Sequence, residues 1–207
     1  MIKAYVMAHR DAPNRYLAMW LNAMRVDWRL GYPEFGIDVS RNQAVNRFLR
    51  EDVPLGFTHL LMIDKDMVPF INTNEMLTAK GDLLWCPYVG RNGIGGHVDN
   101  FGAGFCRLSA TMLSELEKPY FRFTHNETHD RLLDCECNWF CRRAMEKGFT
   151  PQAIGWVGHQ VGDNTGPTLI PNKENKTGYS LAWTTDLPYD TKSSLVRASL
   201  INDSISV

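Results

Sequence analysis

The segment FTHLLMIDKDM, residues 57–67, joins an apolar run to two carboxylates that are one residue apart. The unbroken run Leu60–Ile63 predicts a buried strand, and Asp64 and Asp66 follow at its carboxyl end. Ligands of open α/β sheets bind beyond the carboxyl ends of the strands. Since side chains two residues apart in an extended chain point to the same side, the two carboxylates are expected to lie close together.

This pair of acids predicts a cation site. Two neighbouring carboxylates repel each other unless a positive charge lies between them, and a divalent cation that carries a diphosphate supplies it. The alternative is a solvent-exposed turn, since Asp is common in turns. The apolar residues on both sides, Leu60–Ile63 before and Met67–Phe70 after, favour the site. We therefore predict that Asp64 and Asp66 belong to a metal and nucleotide site.

Length and composition indicate one ordinary globular domain. The chain has 207 residues, 44% of them hydrophobic and 22% charged, which is typical of globular proteins. Its formal net charge of −1 gives no overall basic field that would attract nucleic acid or a membrane surface. No apolar stretch reaches transmembrane length, and the sequence opens on a strand-like run rather than a leader. We expect a cytoplasmic protein with no membrane span.

The five cysteines are expected to be reduced thiols. Their number is odd, and the spacing Cys135-x-Cys137-x-x-x-Cys141 matches no usual zinc motif. A zinc site at this cluster is the less favoured alternative.

Alternating strands and helices predict an α/β fold with a mainly parallel, doubly wound sheet. The predicted strands are Ile2–Ala8, Val26–Leu30, Thr58–Ile63, Leu83–Cys86 and Phe105–Leu108. The predicted helices are one capped by Asp11 or Asn14, one capped by Ser40 and running to about Arg50, a short one near Asn74–Lys80, Ala110–Leu116 capped by Ser109, and Glu136–Lys147 ended by Gly148. Trp139, Phe140 and Ala144 are expected in the core. From Gln160 the pattern decays into a tail: an extended arm, a loop with a hairpin, or an oligomer contact.

Six short motifs occur in order between about Ile2 and His159. They are Ala8-His9-Arg10, Ser40-Arg41-Asn42, Asp64-Lys65-Asp66, Gly102-Ala103-Gly104-Phe105, Glu136-Cys137-Asn138-Trp139-Phe140-Cys141 and Val157-Gly158-His159. In this order and spacing they resemble the compact, family-2-like glycosyltransferases of the GT-A fold found in phages and bacteria. The resemblance implies a Rossmann-like, mainly parallel twisted sheet flanked by helices, with a catalytic domain over residues 1–159 and a tail over residues 160–207.

The resemblance also implies a bound Mn²⁺ or Mg²⁺. Asp66 would be a direct ligand, Asp64 would lie nearer the ribose or a metal-bound water, and His159 would be the third protein ligand. An imidazole ligand favours Mn²⁺ over Mg²⁺. Breaking a sugar–phosphate bond expels a nucleoside diphosphate, and a cation on its oxygens stabilises the charge that develops. The alternative for His159 is an ordinary core histidine.

A set of residues is implied to bind the nucleotide-sugar donor. It comprises Ala8, His9, Arg10, Asp38, Arg41, Asp64, Lys65, Gly102 and Gly104. Arg41, at the predicted helix start, would meet the diphosphate together with backbone amides, unless it is a surface arginine. Asp38 would accept the N3 proton of uracil, unless it is a turn residue. Asn42 could be structural or could contact the nucleotide, and Gly102 and Gly104 would border the donor sugar and the acceptor.

The catalytic base is implied at the start of the last helix. In inverting relatives a Glu-Asp pair stands there, and its Asp deprotonates the acceptor hydroxyl. Here Cys137 follows Glu136, so either Glu136 or Asp134 is the base, or the reaction retains configuration without a conventional base. Both acids could instead serve only the helix start.

The leading hypothesis is a metal-dependent glycosyltransferase that moves a sugar from a nucleotide-sugar, a UDP-sugar, to a hydroxyl of a glycan, a modified DNA base or a protein. The expected location is the cytoplasm of a bacterium or of a phage-infected host. One alternative, motivated by Cys137, is a non-catalytic nucleotide- or glycan-binding protein. Another is a metal-dependent nucleotidyl or phosphoryl transferase that uses Asp64 and Asp66 with two ions. The tail could form an oligomer contact.

Overall fold

The computed structural model of the protein describes residues 1–8, 13–31, 36–90, 96–97, 100–161, 167–172 and 179–182. No helix in these ranges is long and apolar enough to cross a bilayer.

The described strands are short and fall into four sheets. Their bounds are β1 Ile2–Met7, β2 Asp27–Leu30, β3 His59–Asp64, β4 Met67–Val68, β5 Leu83–Trp85, β6 Tyr88–Val89, β7 Gly96–His97, β8 Phe105–Ser109, β9 Thr124–His125, β10 Leu132–Asp134, β11 Gln152–Ala153, β12 Gly158–Gln160, β13 Thr168–Pro171 and β14 Tyr179–Ala182.

The α-helices are α1 Arg15–Ala23, α2 Ile37–Arg47, α3 Glu75–Thr78, α4 Ala110–Glu115 and α5 Glu136–Glu146. A π-helical turn, Phe48–Asp52, extends α2, and 3₁₀ turns cover Val53–Leu55 and Ile71–Asn74. Asn14 caps α1, because its side chain accepts a hydrogen bond from the Leu17 amide at 2.8 Å. Ser109 caps α4 in the same way. Gly148, with φ of +89°, follows α5.

The main sheet has six strands in the order β11-β5-β8-β3-β1-β2. All run parallel except β8, which is antiparallel to both of its neighbours. The parallel strands therefore bring their carboxyl ends to one edge of the sheet, where β3 ends at Asp64. The predicted α/β fold with a mainly parallel sheet flanked by helices in a single domain is confirmed.

Both faces of the main sheet are covered by helices. Along β1, Tyr5 and Met7 face a core that includes α2, α4 and α5, whereas Ala4 and Val6 face a core that includes α1 and α3. Burial on both faces explains why β3 is an uninterrupted apolar run rather than an alternating one.

A second, antiparallel sheet has the order β14-β13-β12-β4. Strand β4 lies just after Asp66, and β12 contains His159, so the chain beyond residue 158 is joined to the segment after β3. Strands β13 and β14 form a hairpin in the tail, and the boundary expected at residue 159 falls within β12. Residues 183–207 lie outside the described ranges.

The prediction that Ser40 caps α2 is wrong. The helix begins at Ile37, and the Ser40 amide already donates to the carbonyl of Gly36, a helical bond of 2.9 Å. Ile37 packs against the core, which favours the earlier start. Arg41 consequently lies in the middle of the helix rather than at its first turn.

Trp139 was expected in the core with Phe140 and Ala144, but it is only half-buried, whereas the other two are fully buried. Three guanidinium groups lie within 6 Å of its ring, at 5.6–5.8 Å, those of Arg122, Arg142 and Arg143.

Asn42 is a structural residue of α2. Its Oδ1 accepts hydrogen bonds from the amides of Tyr120 and Phe121, at 2.7 and 3.2 Å. Its Nδ2 donates to the carbonyls of Phe121 and Asp38, at 2.6 and 2.8 Å. Because all of these partners are backbone groups, the side-chain amide of Asn42 links α2 by hydrogen bonds to the segment that follows α4.

We predict that Asn42→Ala lowers the free energy of unfolding by about 2–4 kcal/mol, because it leaves several backbone groups without partners. Urea denaturation followed by circular dichroism measures this. Asn138→Ala, at an exposed position of α5, is the matched control and should change stability by less than about 0.5 kcal/mol. Equal effects in the two variants would contradict the structural role of Asn42.

Candidate active site

The turn between β3 and β4 is held in place by backbone hydrogen bonds. The amide of Asp64 donates to the carbonyl of Gly104 at 2.7 Å, and that of Lys65 donates to the carbonyl of Met7 at 3.2 Å. The carbonyl of Lys65 accepts from the amide of Asn14 at 2.9 Å. The two acids therefore project from a fixed backbone at the carboxyl edge of the main sheet.

Asp66 and His159 face each other across the pairing of β4 with β12. The amide of Gln160 donates to the carbonyl of Asp66 at 2.9 Å, which fixes the register. His159 Nε2 lies 3.2 Å from Asp66 Oδ2, and His159 Nδ1 lies 2.7 Å from the carbonyl oxygen of Val89. Both side chains are nearly buried, with 8% of each residue exposed.

The contacts of His159 assign the proton on Nδ1 and leave Nε2 beside the Asp66 carboxylate. A carbonyl oxygen only accepts, so Nδ1 carries the proton that is donated to Val89. Nε2 of a neutral ring would then point a lone pair at the Asp66 carboxylate. Either a proton on Nε2 or a metal ion bound by both atoms removes this conflict.

Arg41 connects the acids of β3 and α5. Its Nη2 donates to both carboxylate oxygens of Asp64 at 3.0 Å, and its Nη1 donates to Glu136 Oε1 and, at 3.3 Å, to Cys137 Sγ. Only 2% of Arg41 is exposed. Its guanidinium also lies 5.9 Å from the ring centroid of Phe121. The sequence motif placed Arg41 in the site, but on a helix start rather than between two carboxylates.

Burial and charge act in opposite directions on Arg41. Burial by itself lowers the pKa of a guanidinium, but the interactions with Asp64, Cys137 and Glu136 outweigh it, so the pKa of Arg41 is raised well above its usual value. Arg41 is therefore always charged and serves as a fixed cation in the site.

Asp64 is a carboxylate in an unfavourable position. Desolvation raises its pKa, and the neighbouring Asp66 adds to that effect, while Arg41 opposes it without cancelling it. About a quarter of the Asp64 side chain is exposed, so a ligand can reach it. A further positive charge at this edge would relieve the repulsion between the two acids.

Glu136 is the first residue of α5 and is nearly buried at 7% exposure. Cys135 caps the helix through its Sγ, and the Cys137 thiol lies 3.4 Å from Glu136 Oε1 and 3.4 Å from the amide of Ala103. The positive end of the helix and Arg41 both supply positive charge beside this carboxylate.

Cys135, Glu136 and Cys137 have ligand atoms that all lie within 4.8 Å of one another. A metal ion is nonetheless disfavoured there, because Arg41 and the amino end of α5 already supply positive charge. A hydrogen bond with Cys137, together with burial, raises the pKa of the Cys135 thiol, and only a thiolate is a good ligand. All five cysteines are free.

Asp134 lies apart from the Arg41 network. Its Oδ2 accepts a hydrogen bond from Arg142 Nη1 at 2.8 Å. It lines a separate cavity of about 820 Å³ between α5 and the ends of β5 and β11. Its candidacy as a base stays a prediction, as does that of Glu136.

The remaining predicted donor-binding residues lie near this edge or outside the described ranges. Ala8 is buried directly after β1, and Gly102 is buried just before Ala103, whose amide donates to Cys137 Sγ. Asp38 lies in the first turn of α2, because the helix starts at Ile37. His9 and Arg10 lie outside the described residues.

Gly104 is required by the protein's own packing. A Cβ at this position would lie 2.6 Å from Met67 Cε and 2.8 Å from Tyr88 Oη. Tyr88 Oη accepts a hydrogen bond from the Gly104 amide at 3.3 Å, and the Tyr88 ring meets His159 edge to face with centroids 5.7 Å apart. Burial raises the pKa of Tyr88 well above its usual value. Nothing in the sequence distinguishes Tyr88 as a site residue, since one tyrosine in a short strand has no characteristic pattern.

Comparisons with known proteins reveal similarity of fold. No family model matches the sequence, and no curated protein matches it. Over 88% of this chain and 93% of the other, the structure is similar to the crystal structure of A197 from STIV, with a TM-score of 0.63 and 14% sequence identity. This likeness shows a shared fold.

Two further structures share less with the chain. One is a glycosyltransferase involved in the glycosylation of the major capsid of PBCV-1, with a TM-score of 0.34 and 9% identity over 58% of this chain and 69% of the other. The other is glucosyl-3-phosphoglycerate synthase from Mycobacterium tuberculosis in complex with Mn²⁺ and UDP-glucose, with a TM-score of 0.40 and 10% identity over 88% and 86%. At these scores neither bears on the function of this chain.

We predict that Arg41→Gln lowers the free energy of unfolding by about 3–5 kcal/mol, because it leaves the Asp64 and Glu136 carboxylates without their counter-charge. Arg50→Gln is the matched control, since the side chain of Arg50 is 71% exposed in its ion pair with Glu51 and should matter by less than about 1 kcal/mol. Chemical denaturation of both variants provides the measurement. A loss below 1 kcal/mol for Arg41→Gln, as small as that of the control, would mean that the buried ion pairs are not formed.

Proposed function

We propose that this protein is a metal-dependent glycosyltransferase that transfers a sugar from a UDP-sugar to a hydroxyl acceptor. The observation that carries the proposal is the pair Asp66 and His159, whose Oδ2 and Nε2 atoms lie 3.2 Å apart at the carboxyl edge of the sheet. The order of sequence motifs, which resembles GT-A glycosyltransferases, supports it as well.

The donor atoms at this site suit a divalent cation. Asp66 and His159 would hold the ion, with Asp64 beside them on the same turn. A carboxylate with an imidazole suits Mn²⁺ better than Mg²⁺, which prefers an all-oxygen environment. When bound, the cation stabilises the negative charge that develops on the leaving diphosphate.

The protein's own residues prepare the site for an anionic donor. Arg41 keeps a fixed positive charge beside Asp64, which limits the repulsion that a diphosphate would otherwise meet at the two acids. The pairing of β4 with β12 holds Asp66 and His159 at constant separation, so little ordering is needed when the donor binds.

Glu136 is the better candidate for the base. It lies in the Arg41 network that includes Asp64, whereas Asp134 is paired with Arg142 and lines a different cavity. In this proposal Glu136 removes the proton from the acceptor hydroxyl as that oxygen bonds to the sugar carbon. The bond from that carbon to the diphosphate breaks in the same step.

We predict that Asp66→Ala weakens Mn²⁺-dependent binding of UDP by about 100-fold or more while the protein stays folded, because a direct ligand is lost. Isothermal titration calorimetry with and without Mn²⁺ measures the affinity, and circular dichroism monitors the fold. Asp82→Ala, which removes an exposed carboxylate from the opposite edge of the sheet, is the control and should bind like the wild type. Unchanged affinity in Asp66→Ala would show that the aspartate is only a turn residue.

We further predict that Glu136→Gln slows Mn²⁺-dependent hydrolysis of the donor by about 100-fold, with water as the acceptor, while UDP affinity stays within about threefold. Asp134→Asn is the matched control and should retain the wild-type rate. Released UDP is measured against a set of UDP-sugars. Slow hydrolysis by Asp134→Asn with a wild-type rate for Glu136→Gln would indicate that Asp134 is the base. Full activity in both variants would favour a retaining reaction with no conventional base.

A second candidate function is non-catalytic binding of a nucleotide or glycan. The observation that favours it is the buried Cys137 thiol, which occupies the helix position next to Glu136 where an acid would serve as a base. The same hydrolysis assay separates the two functions. Metal-dependent UDP binding without turnover on any UDP-sugar would support the binding function, and turnover would exclude it.

A further inference from the structure

A second cavity lies at the opposite edge of the main sheet, where the parallel strands begin. Ile2, Asp27 and His59, the first residues of β1, β2 and β3, are among its lining residues. Its volume is about 910 Å³, which is within the range of small-molecule sites. Phe57 and Leu77 contribute apolar surface.

Cationic groups outnumber anionic ones in the lining of this cavity. Arg25, Lys80 and Arg107 supply positive charge, against the carboxylates of Asp27 and Asp82. Asp27 is already paired with Lys3, whose Nζ lies 2.6 Å from its Oδ1. The cavity therefore favours an anion.

Arg107 is the most unusual of these cations. Only 3% of the residue is exposed, and no carboxylate pairs with it among the described residues. Its Nη1 donates to the carbonyl of Met76 at 2.6 Å, its Nη2 donates to that of Ala79, and its Nε has no partner in the described part of the chain. Burial lowers its pKa. Burying a guanidinium without a counter-ion is unfavourable, and two carbonyl dipoles compensate only part of this.

Arg25 reaches the same cavity from a strained backbone position. It follows α1 with φ of +51°, and its amide donates to the carbonyl of Asn22 at 3.1 Å, a helix-ending position where glycine is usual. A non-glycine residue in the left-handed region is strained. This strained residue is exposed and is among those that line the cavity.

We infer that this cavity binds a small organic oxyanion, a carboxylate or phosphate group on an apolar body. The oxyanion pairs with Arg107 and Arg25, and the apolar body packs against Phe57 and Leu77. The site is separate from the one around Asp66, since the two lie at opposite edges of the sheet, and it needs no metal ion.

Binding is tested by calorimetry in EDTA with three probes of similar size: phenyl phosphate, benzoate and the neutral benzyl alcohol. Saturable one-to-one binding of an anion, and none of the alcohol, is the expected result. The tighter anion identifies the oxyanion class. Asp66→Ala should bind the probe like the wild type, and loss of binding in that variant would assign the probe to the other edge and overturn the inference.

Two cavity variants separate binding from folding. Arg107→Gln should weaken anion binding by about tenfold or more, because it removes a buried charged donor. Arg25→Gly should weaken binding by about threefold yet raise the melting temperature, because glycine relieves the left-handed strain. If Arg107→Gln fails to fold, the affinity of Arg25→Gly for the anionic probe tests the inference by itself.

Lys147→Gln is the matched control, since it removes an exposed cation at the end of α5, outside the cavity. It should bind the probe like the wild type. Absence of saturable binding in the wild type, wild-type affinity in the cavity variants, or an equal loss in Lys147→Gln would each overturn the inference.

Discussion

The ion pairs of Arg41 are the interaction on which the site depends. A single guanidinium, 2% exposed, is shared by Asp64 at the end of β3 and Glu136 at the start of α5. A buried charge is tolerated only when its partners stay in place, so α2, β3 and α5 must keep their relative positions. The same contact keeps two carboxylates near one another at the edge where an anionic ligand would bind. Folding and the chemistry of the site are therefore coupled through one side chain.

The second sheet places a histidine beside Asp66, at a position that no strand of the main sheet occupies among the described residues. Strand β4 follows Asp66 directly, and its pairing with β12 brings His159, more than ninety residues later in sequence, to within 3.2 Å of that carboxylate. Tyr88 and the carbonyl of Val89 hold the imidazole from the other side. His159 is thus positioned by backbone pairing and by one fixed hydrogen bond, as its proposed role as a metal ligand would require.

Local patterns in the sequence predicted much of this structure, while long-range contacts did not follow from them. The apolar run of β3, the caps Asn14 and Ser109 and the glycine after α5 each depend on neighbouring residues, and the structure has them as expected. The start of α2 was misplaced because it depends on Ile37 packing against a core built from distant segments. The position of Arg41 between two carboxylates likewise depends on contacts between distant segments.

The presence of Cys137 beside Glu136 is consistent with the balance of charge around Arg41. Arg41 Nη1 donates hydrogen bonds to both Glu136 and the Cys137 sulfur, while Nη2 donates to Asp64. A carboxylate at position 137 would add a third negative charge around one guanidinium, in a pocket where desolvation already raises the pKa of Asp64. A protonated thiol accepts the same hydrogen bond weakly and adds no charge, so Arg41 faces two acids rather than three. In the proposed transferase, this arrangement leaves Glu136 as the acid of this network on α5 that can take the proton of an acceptor.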